Sequence, residues 1–219
     1  MLISKERREI VEFGKKMIRN GLVKGTGGNL SLCNDKKTMV AMTPTGIPYE
    51  EMEPKDVVVL DLEGNQIDGE LKPSSEISFH LGLINLREDI QAVVHTHSIH
   101  ATTLACLGWE IPPIHYLIGL AGTSVQVAPY ATYGSEELSK NICNTIAEGN
   151  AVLLANHGMV ATSKTLPKAF AIAEMVEYVA QLYLQARSVG NPVVLSREDM
   201  DDVLEKFQTY GKQKNWKNN

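Results

Sequence analysis

The sequence has few cysteines and no long apolar run. Its three cysteines, Cys33, Cys106 and Cys143, are far apart and form no Cys-x-x-Cys pair, so neither a disulfide framework nor a thiolate zinc site is indicated. A reducing cytoplasm is the expected location. Charged residues begin at Lys5, and no uncharged apolar run approaches the roughly 18 residues needed to span a bilayer. We therefore expect neither a signal peptide nor a membrane partner.

Positive charge is also in short supply. Lys and Arg total 21 against 26 Asp and Glu, a net charge of −5 with neutral histidines. The pI near 5.7 offers no basic field for a polyphosphate backbone, so no nucleic-acid partner is expected. The sequence has no Pro/Gly-rich linker, tandem repeat or low-complexity tract. With 43% hydrophobic and 21% charged residues, it is predicted to form one globular domain over residues 1–219.

What the sequence does contain is an alternation of strand and helix patterns. Apolar spacings of three and four predict helices over 4–20 and 165–188, and the capping-box-like start at Ser196 predicts a last helix to 207. Other helices are expected after Ser74-Ser75, after 95 and at Ser135. Strands are predicted at 30–33, 38–42, 57–60, 92–95, 125–128 and 152–155. This alternation favours an α/β fold in which one sheet carries helices on both faces.

Histidines follow two of the predicted strands. In His95-Thr96-His97 the two rings are at i and i+2, so in a strand they point to the same face, about 6.6 Å apart, and can converge on one metal. His157 follows another predicted strand, and the next residue, Gly158, permits a sharp turn that exposes the ring. The alternative for each is a structural histidine that bonds to the backbone.

One carboxylate completes a set of metal ligands. Glu76 lies in the first turn of a predicted helix, where the helix dipole favours negative charge, so a capping role is the alternative. Three imidazoles and one carboxylate suit Zn²⁺, and a labile carboxylate leaves a position for substrate. The predicted ligands of a catalytic metal are His95, His97, His157 and Glu76. For His80 and His115 we expect structural roles. His100 could complete a local cluster with His97, but it is expected in the next helix, with its ring pointing elsewhere.

Glycine-rich and hydroxyl-rich turns form a second constellation. They are 25–29 (Gly-Thr-Gly-Gly-Asn), 43–46 (Thr-Pro-Thr-Gly) and Ser74-Ser75. Such turns offer backbone N–H groups and hydroxyls, and a helix N-terminus attracts anions, so a phosphate could be held here with few cations. The pattern is neither a P-loop nor a dinucleotide fingerprint. Nucleoside triphosphates and dinucleotides are therefore not supported.

Taken in order and spacing, these motifs resemble one known family. The segments 25–31, 43–46, 73–76, 93–97 and 156–158 resemble the zinc-dependent class II aldolase and ribulose-phosphate epimerase family, across nearly the whole chain. The segments 114–116, 128–132, 180–184 and 205–211 look most like those of the bacterial L-fuculose-1-phosphate aldolases within that family. The resemblance implies a three-layer α/β/α fold with a central, mostly antiparallel mixed sheet. It also implies a fourfold homotetramer with active sites between subunits.

The resemblance implies a site and an activity as well. The zinc ligands would be the four residues named above. The substrate phosphate would be held by Gly28, Asn29, Thr45, Gly46, Ser74 and Ser75. The reaction would be zinc-dependent cleavage of the phosphorylated ketose L-fuculose 1-phosphate to glycerone phosphate and L-lactaldehyde, in L-fucose catabolism. Glu76 would protonate C3 of the substrate, and Tyr116 of a neighbouring subunit would take the proton of the C4 hydroxyl.

Some residues bear on the aldehyde end of the substrate. Tyr210 would close over the aldehyde, or it is an ordinary helix-end aromatic. Tyr133 stands where related aldolases often carry phenylalanine, and Lys72 replaces an apolar residue before Pro73. These two departures concern aldehyde preference rather than metal chemistry.

Two alternative functions stay open at this point. An L-ribulose-5-phosphate 4-epimerase shares the zinc and phosphate sites, but that pattern has an aspartate after a histidine where this chain has Tyr116 after His115. A non-catalytic interaction domain like the adducin head needs no metal, whereas this chain has all four ligands.

Overall fold

A single mixed sheet forms the centre of the molecule. The computed structural model describes residues 1–209. The strands are β1 Asn29–Cys33, β2 Val40–Met42, β3 Val58–Leu60, β4 Gln66–Asp68, β5 Ala92–Thr96, β6 Val127–Ala128, β7 Ala151–Leu154 and β8 Gly158–Ser163. They lie in the order β4-β3-β2-β1-β5-β8-β7-β6. Neighbours are antiparallel except for β6 and β7, which are parallel, so the predicted mostly antiparallel mixed sheet is confirmed.

Helices cover both faces of this sheet. They are α1 Ser4–Arg19, α2 Ile77–Leu86, α3 Ile99–Leu107, α4 Glu136–Ile146, α5 Leu166–Val189 and α6 Arg197–Phe207, with a 3-10 helix at Tyr116–Leu120. The central strand β5 shows the two faces. Ala92 and Val94 pack into the core that contains α1, α3 and α5, whereas Val93 packs into the core that contains α2 and α4. The predicted three-layer α/β/α arrangement is therefore present. In residues 1–209 no helix has the length and apolar character to cross a membrane.

Local sequence explains most of the helix boundaries. Pro167 is in the first turn of α5, where its missing N–H is not needed. At α6 the Ser196 side chain accepts from the Asp199 backbone N–H, and the Asp199 carboxylate accepts from the Ser196 backbone N–H. This is the predicted capping box. The expected helices over 4–20, 165–188 and 196–207 agree with α1, α5 and α6 to within one or two residues.

Two strands and the 3-10 helix were not predicted from the sequence. The strand β8 is buried along nearly its whole length, so it lacks the polar–apolar alternation that marks a half-exposed strand. The strand β4 is a short edge strand with exposed side chains. The strand expected over 125–128 is reduced to Val127–Ala128, while Val125 forms an isolated bridge with Ile111. The prediction of one domain over 1–219 includes residues outside the described range and stays a prediction.

The sheet brings distant segments to one end. The strand β5 lies between β1 and β8, with Asn29 opposite His95 and Met159 opposite Thr96. A bridge between Pro44 and Pro73 joins the segment after β2 to the segment before α2. The motifs that are far apart in sequence therefore meet at the carboxyl end of β5.

Candidate active site

Three histidine rings meet at the end of β5. His95 is in the strand, His97 follows it, and His157 lies in the turn between β7 and β8, which returns the chain to β5. The ring centroids are 4.8 Å apart for His95–His97 and His95–His157, and 5.1 Å apart for His97–His157. One ligand atom from each ring lies within 4.8 Å of the others. The three histidines could therefore hold one metal ion.

The hydrogen bond behind His95 fixes which nitrogen faces this cluster. Its Nδ1 lies 2.9 Å from the Met159 carbonyl oxygen. Because a carbonyl only accepts, Nδ1 carries the proton and Nε2 presents a lone pair. That Nε2 lies 3.0 Å from Nε2 of His97. An imidazole that donates its outer N–H to a carbonyl while its inner nitrogen is free is arranged as a metal ligand.

Glu76 lies beside the rings, just before α2, and is 6% exposed. Its Oε2 accepts from Nδ2 of Asn29 at 2.7 Å and lies 3.3 Å from Nε2 of His95. Its Oε1 lies 3.5 Å from Nε2 of His157 and has no hydrogen-bond partner. Leaving a buried carboxylate oxygen without a donor is costly, and a cation between it and the rings removes that cost. The donor set of three imidazole nitrogens and one carboxylate fits Zn²⁺.

Burial sets the protonation of this group of residues. Desolvation lowers the pKa of His95 well below its ordinary value, with repulsion from His157 and His97 acting in the same direction. Desolvation also lowers the pKa of His97 and of His157. The pKa of Glu76 is raised by burial, while its hydrogen bond from Asn29 and the proximity of His157 oppose that rise. The rings are thus held neutral, which is the form that binds metals.

Two glycines allow the close backbone approach that the cluster needs. Gly28 has φ +69°, and a Cβ there would lie 2.6 Å from the carbonyl oxygen of His95. At Gly158 a Cβ would collide with the Thr96 carbonyl oxygen and the His97 ring. The turn that carries His157 also contains Asn156 in the left-handed region, with φ 55°. A side chain at either glycine would push the histidines apart.

A cavity of about 350 Å³ opens beside Glu76, His97 and His157. All six predicted phosphate-binding residues line it: Gly28, Asn29, Thr45, Gly46, Ser74 and Ser75. Two backbone hydrogen bonds of 3.0 Å, from Thr45 N to Lys72 O and from Ser74 N to Thr43 O, join two of these segments. Within residues 1–209 no lysine or arginine is among the lining residues. An anion here would be held by N–H, hydroxyl and amide groups.

The structure does not bring every predicted residue into this cavity. Tyr116 begins the 3-10 helix, is 49% exposed and stacks on His115 with ring centroids 4.8 Å apart. Among the described residues of a single chain, the cavity lining does not include Tyr116. Tyr210 lies outside the described residues, as does the segment 212–219.

The cavity also contains residues that sequence reasoning had not assigned to the site. Tyr130 and Asn156 line it, and so does Tyr133, which had been weighed only for aldehyde preference. Tyr130 and Tyr133 are 62% and 68% exposed. Two large exposed aromatics in the segment between β6 and α4 were a signal available in the sequence, because tyrosines in a polar loop often contact ligands.

The other histidines are hydrogen-bonded away from the cluster. Nδ1 of His100 pairs with Glu177 Oε1 at 2.7 Å, and Nδ1 of His115 accepts from the Leu117 backbone N–H at 3.3 Å. His80 is fully buried, with hydrogen bonds at both ring nitrogens. The contacts of His100 and His115 involve no residue of the cluster, whereas one contact of His80 is to Asn29, which donates to Glu76.

Comparison with known proteins gives one family. The family model described as Class II Aldolase and Adducin N-terminal domain matches residues 8–184. The chain is 49% identical over 213 residues to a 5-deoxy-D-ribulose 1-phosphate aldolase of Bacillus thuringiensis serovar kurstaki, with 97% of this chain and 100% of that protein covered. It is 43% identical over 210 residues to the L-fuculose phosphate aldolase of Escherichia coli K12, with 95% and 96% covered.

A solved structure agrees with the sequence comparisons. An L-fuculose 1-phosphate aldolase superposes with a TM-score of 0.93 at 46% identity, with 95% of this chain and 98% of that chain covered. The fold, the family model and the full-length relatives point to the same group of proteins. The chain therefore belongs to the class II aldolase and adducin N-terminal domain family, and within that family it is a class II aldolase.

Proposed function

We propose that this aldolase catalyses the zinc-dependent retro-aldol cleavage of a ketose 1-phosphate to glycerone phosphate and a short aldehyde. The observation that carries the proposal is the position of an unpartnered oxygen of Glu76 beside three imidazoles, next to a cavity lined with neutral hydrogen-bond donors. Proteins use such an open set of nitrogen and oxygen ligands for catalytic rather than structural zinc.

The phosphate is assigned to the lining turns. Thr45, Ser74 and Ser75 contribute hydroxyls, and Gly28 and Gly46 leave backbone N–H groups accessible. Ser75 lies just before α2, whose N-terminal partial positive charge favours an anion. Phosphate held here places the adjoining C2 and C3 atoms near Glu76. Binding at the phosphate fixes the orientation of the reacting atoms.

The metal is assigned to His95, His97 and His157, with Glu76 as the fourth group. When bound, a divalent metal supplies Lewis-acid stabilisation of the negative charge that develops on the C2 oxygen as the C3–C4 bond breaks. The residues of the chain then have two proton transfers to perform. One removes the proton of the C4 hydroxyl, and the other returns a proton to C3.

Glu76 is assigned the proton at C3. Its Oε2 is held by Asn29, while Oε1 has no hydrogen-bond partner and lies 3.5 Å from Nε2 of His157. A carboxylate held on one oxygen can move a proton on the other. In the condensation direction the same oxygen removes a proton from C3 of glycerone phosphate.

Tyr116 is assigned the proton of the C4 hydroxyl, delivered from a second copy of the chain in a homotetramer. Its partial exposure and its absence from the cavity of its own chain support a role in another subunit's site. Complementation tests this arrangement. Tyr116→Phe and Glu76→Gln, each inactive alone, should regain about a quarter of wild-type activity when co-expressed, because one in four random heterologous interfaces combines both intact residues. If mixed oligomers form and stay inactive, Tyr116 does not act across the interface.

Two substrates are candidates. L-Fuculose 1-phosphate is the one that the sequence motifs favour, and it would give L-lactaldehyde. 5-Deoxy-D-ribulose 1-phosphate, which would give acetaldehyde, is favoured by the higher identity to the Bacillus thuringiensis aldolase. Both have phosphate on C1, a carbonyl at C2, hydroxyls at C3 and C4, and a terminal methyl. They differ by one hydroxylated carbon at the aldehyde end, to which the family resemblance assigns Tyr133, one of the residues that line the cavity.

A substrate panel tests the proposal. Zinc-loaded protein is assayed for released glycerone phosphate with L-fuculose 1-phosphate, 5-deoxy-D-ribulose 1-phosphate, L-rhamnulose 1-phosphate and L-ribulose 5-phosphate. Triose release from a ketose 1-phosphate supports the aldolase, and the ratio of kcat/KM values identifies the substrate. Isomerised L-ribulose 5-phosphate with no free triose would identify an epimerase instead. Protein that contains no zinc and turns over none of the four would revive the adducin-like interaction domain.

A further inference from the structure

A chain of buried hydrogen bonds runs from β1 through α2 to Glu76. Ser31 Oγ lies 2.7 Å from His80 Nδ1, and His80 Nε2 lies 2.5 Å from Asn29 Oδ1. The other end of the Asn29 amide, Nδ2, donates to Glu76 Oε2 at 2.7 Å and to Ser74 Oγ at 3.0 Å. Ser31 and His80 are 0% exposed, and Asn29 is 5% exposed. Water therefore has little access to these contacts.

Donor and acceptor chemistry gives the chain one direction. An ionised carboxylate only accepts, so the amide nitrogen of Asn29 must face Glu76 and its oxygen must face His80. His80 must then donate from Nε2, which leaves a lone pair on Nδ1, and the Ser31 hydroxyl must donate to that lone pair. Ser31 donates to His80, His80 to Asn29, and Asn29 to Glu76. Hydrogen bonds aligned head to tail polarise and strengthen one another.

The fold explains why these residues meet. Asn29 and Ser31 are at i and i+2 on β1, so they face the same side of the sheet. Glu76 and His80 are four residues apart at the start of α2, so they lie on one side of the helix that packs there. Burial lowers the pKa of His80 to about 3, so the ring is neutral and keeps one donor and one acceptor. The network needs Nε2 of His80 as a donor and Nδ1 as an acceptor.

We propose that His80 is a positioning residue that acts through Asn29 to hold Glu76 by Oε2, with Oε1 directed at the histidine cluster. His80 itself lines neither the cavity nor the metal cluster. Without its N–H, the Asn29 carbonyl oxygen has no buried partner, and the amide that donates to Glu76 loses the contact that fixes its position from the other side. The inference rests on the role proposed for Glu76 and extends it to a residue on the next turn of the helix.

The Asn29 amide also contacts Ser74, in one of the segments proposed to bind the substrate phosphate. Its amide nitrogen donates both to Glu76 and to Ser74, and the Ser74 hydroxyl accepts from the Glu76 backbone N–H at 3.3 Å. One amide orientation therefore sets both the carboxylate and a hydroxyl of the cavity wall. His80 acts on these two groups from outside the cavity.

Two substitutions of His80 separate a positioning role from a packing role. His80→Phe keeps a ring to stack on Phe79 but removes both hydrogen bonds. His80→Gln places an amide N–H within reach of Asn29 Oδ1 and so retains the donor. The dissociation constant of Zn²⁺ is measured by competition with a chromophoric chelator. Deuterium exchange at C3 of glycerone phosphate is measured on zinc-saturated protein, with kcat and KM determined separately.

We expect His80→Phe to weaken zinc binding or to lower kcat for exchange about 10- to 100-fold, the usual loss when a residue that orients a ligand is removed. His80→Gln should recover most of that loss. Leu83→Ala is the matched control, because Leu83 is fully buried on the same helix and outside the network. Equal losses in the Gln and Phe variants, an equal loss in Leu83→Ala, or no loss in His80→Phe would each overturn the proposal.

The two readouts also separate this inference from the proposed reaction. Wild-type protein that binds zinc but exchanges no deuterium would refute the proposed function, while the zinc constants of the variants would still test His80. If His80→Phe fails to fold, Ser31→Ala decides, because it leaves the ring in place and removes only the hydroxyl that donates to Nδ1. Weaker zinc binding or slower exchange in Ser31→Ala supports the proposal, and a variant with both quantities unchanged overturns it.

Discussion

Two buried polar clusters in this molecule differ in how completely they are satisfied. Around Arg7, which is 1% exposed, every guanidinium nitrogen has an acceptor. Nε donates to the Leu2 carbonyl at 3.1 Å, Nη1 to the Val57 carbonyl at 2.6 Å and Nη2 to Asp68 Oδ2 at 2.6 Å. Around Glu76 the corresponding count fails, because Oε1 has no hydrogen-bond donor and its neighbour is Nε2 of His157, at 3.5 Å.

The difference shows what identifies a functional site in this fold. The cavity beside Arg7, at about 720 Å³, is larger than the 350 Å³ cavity beside Glu76. The buried Arg7 guanidinium beside the larger cavity nevertheless makes all its hydrogen bonds within the protein. These bonds join α1 to β4 and to the segment before β3. A buried carboxylate oxygen without a partner costs free energy that a bound ligand can offset. The unsatisfied cluster therefore marks function better than cavity size does.

We call the group of Glu76, His95, His97 and His157 the open cluster, and the group around Arg7 and Asp68 the closed cluster. Removal of a histidine from the open cluster should give the largest effect on activity. We expect His157→Ala to lower kcat/KM by well over 100-fold, more than is usual for a residue that merely orients a ligand, while the free energy of unfolding changes little. Initial-rate assays and urea denaturation of the zinc-free protein measure the two quantities. An apo-protein or variant that unfolds at room temperature would mean that the cluster is structural and would remove the contrast with Arg7.

Glu76→Gln should separate metal binding from proton transfer within the same cluster. The amide keeps an oxygen for the cation but cannot shuttle a proton. Deuterium exchange at C3 of glycerone phosphate should therefore fall about 100- to 10,000-fold, the usual contribution of general acid–base catalysis. Zinc affinity should fall less. Isotope exchange followed by NMR, beside chelator competition, gives both numbers. Normal exchange in this variant would take the proposed role away from Glu76.

Arg7→Met tests the cluster around Arg7, where we expect stability to change and activity to stay the same. Removal of the guanidinium takes the cation away from Asp68 and leaves several buried carbonyl groups without its N–H donors. Because each buried acceptor without a donor costs about 1–3 kcal/mol, we expect a loss of about 3 kcal/mol in the free energy of unfolding. The kcat/KM per folded molecule should be unchanged. Equal stability with reduced turnover would contradict the division into a structural and a catalytic cluster.

The sequence allowed different parts of this picture to be predicted for different physical reasons. The side-chain period of two in β5 placed His95 and His97 together, and the turn chemistry of Gly158 placed His157 at a strand end. Hydroxyl-rich and glycine-rich turns predicted an anion site, and these turns line one cavity beside Glu76. These features depend on local rules, so a short stretch of sequence is enough to reveal them.

Features that depend on contacts between distant segments were beyond local rules. The buried strand β8 has no alternation, and the hydrogen bonds of His80 join β1 to α2 across about fifty residues of sequence, from Ser31 to His80. His80 was therefore assigned only a structural role. The unpartnered oxygen of Glu76 likewise becomes visible only when all neighbours of the carboxylate are known.

The smallest expected effect concerns the exposed edge of the closed cluster. The Asp68 carboxylate accepts from the Leu2 and Gly69 backbone N–H groups and pairs with Arg7, and these contacts, with the Leu2 hydrogen bond foremost, hold its pKa below the ordinary value. A group whose pKa is depressed in the folded state stabilises the fold above its unfolded pKa of about 3.9, and that stabilisation is lost as the pH falls through the lower folded value. Wild type should therefore be more stable than Asp68→Asn at about pH 6, and the difference should shrink toward about pH 2.5. Urea denaturation at the two pH values measures it. A difference that is the same at both would mean that Asp68 contributes by its shape and not by its charge, and the closed cluster would then owe its stability to the carbonyl groups around Arg7.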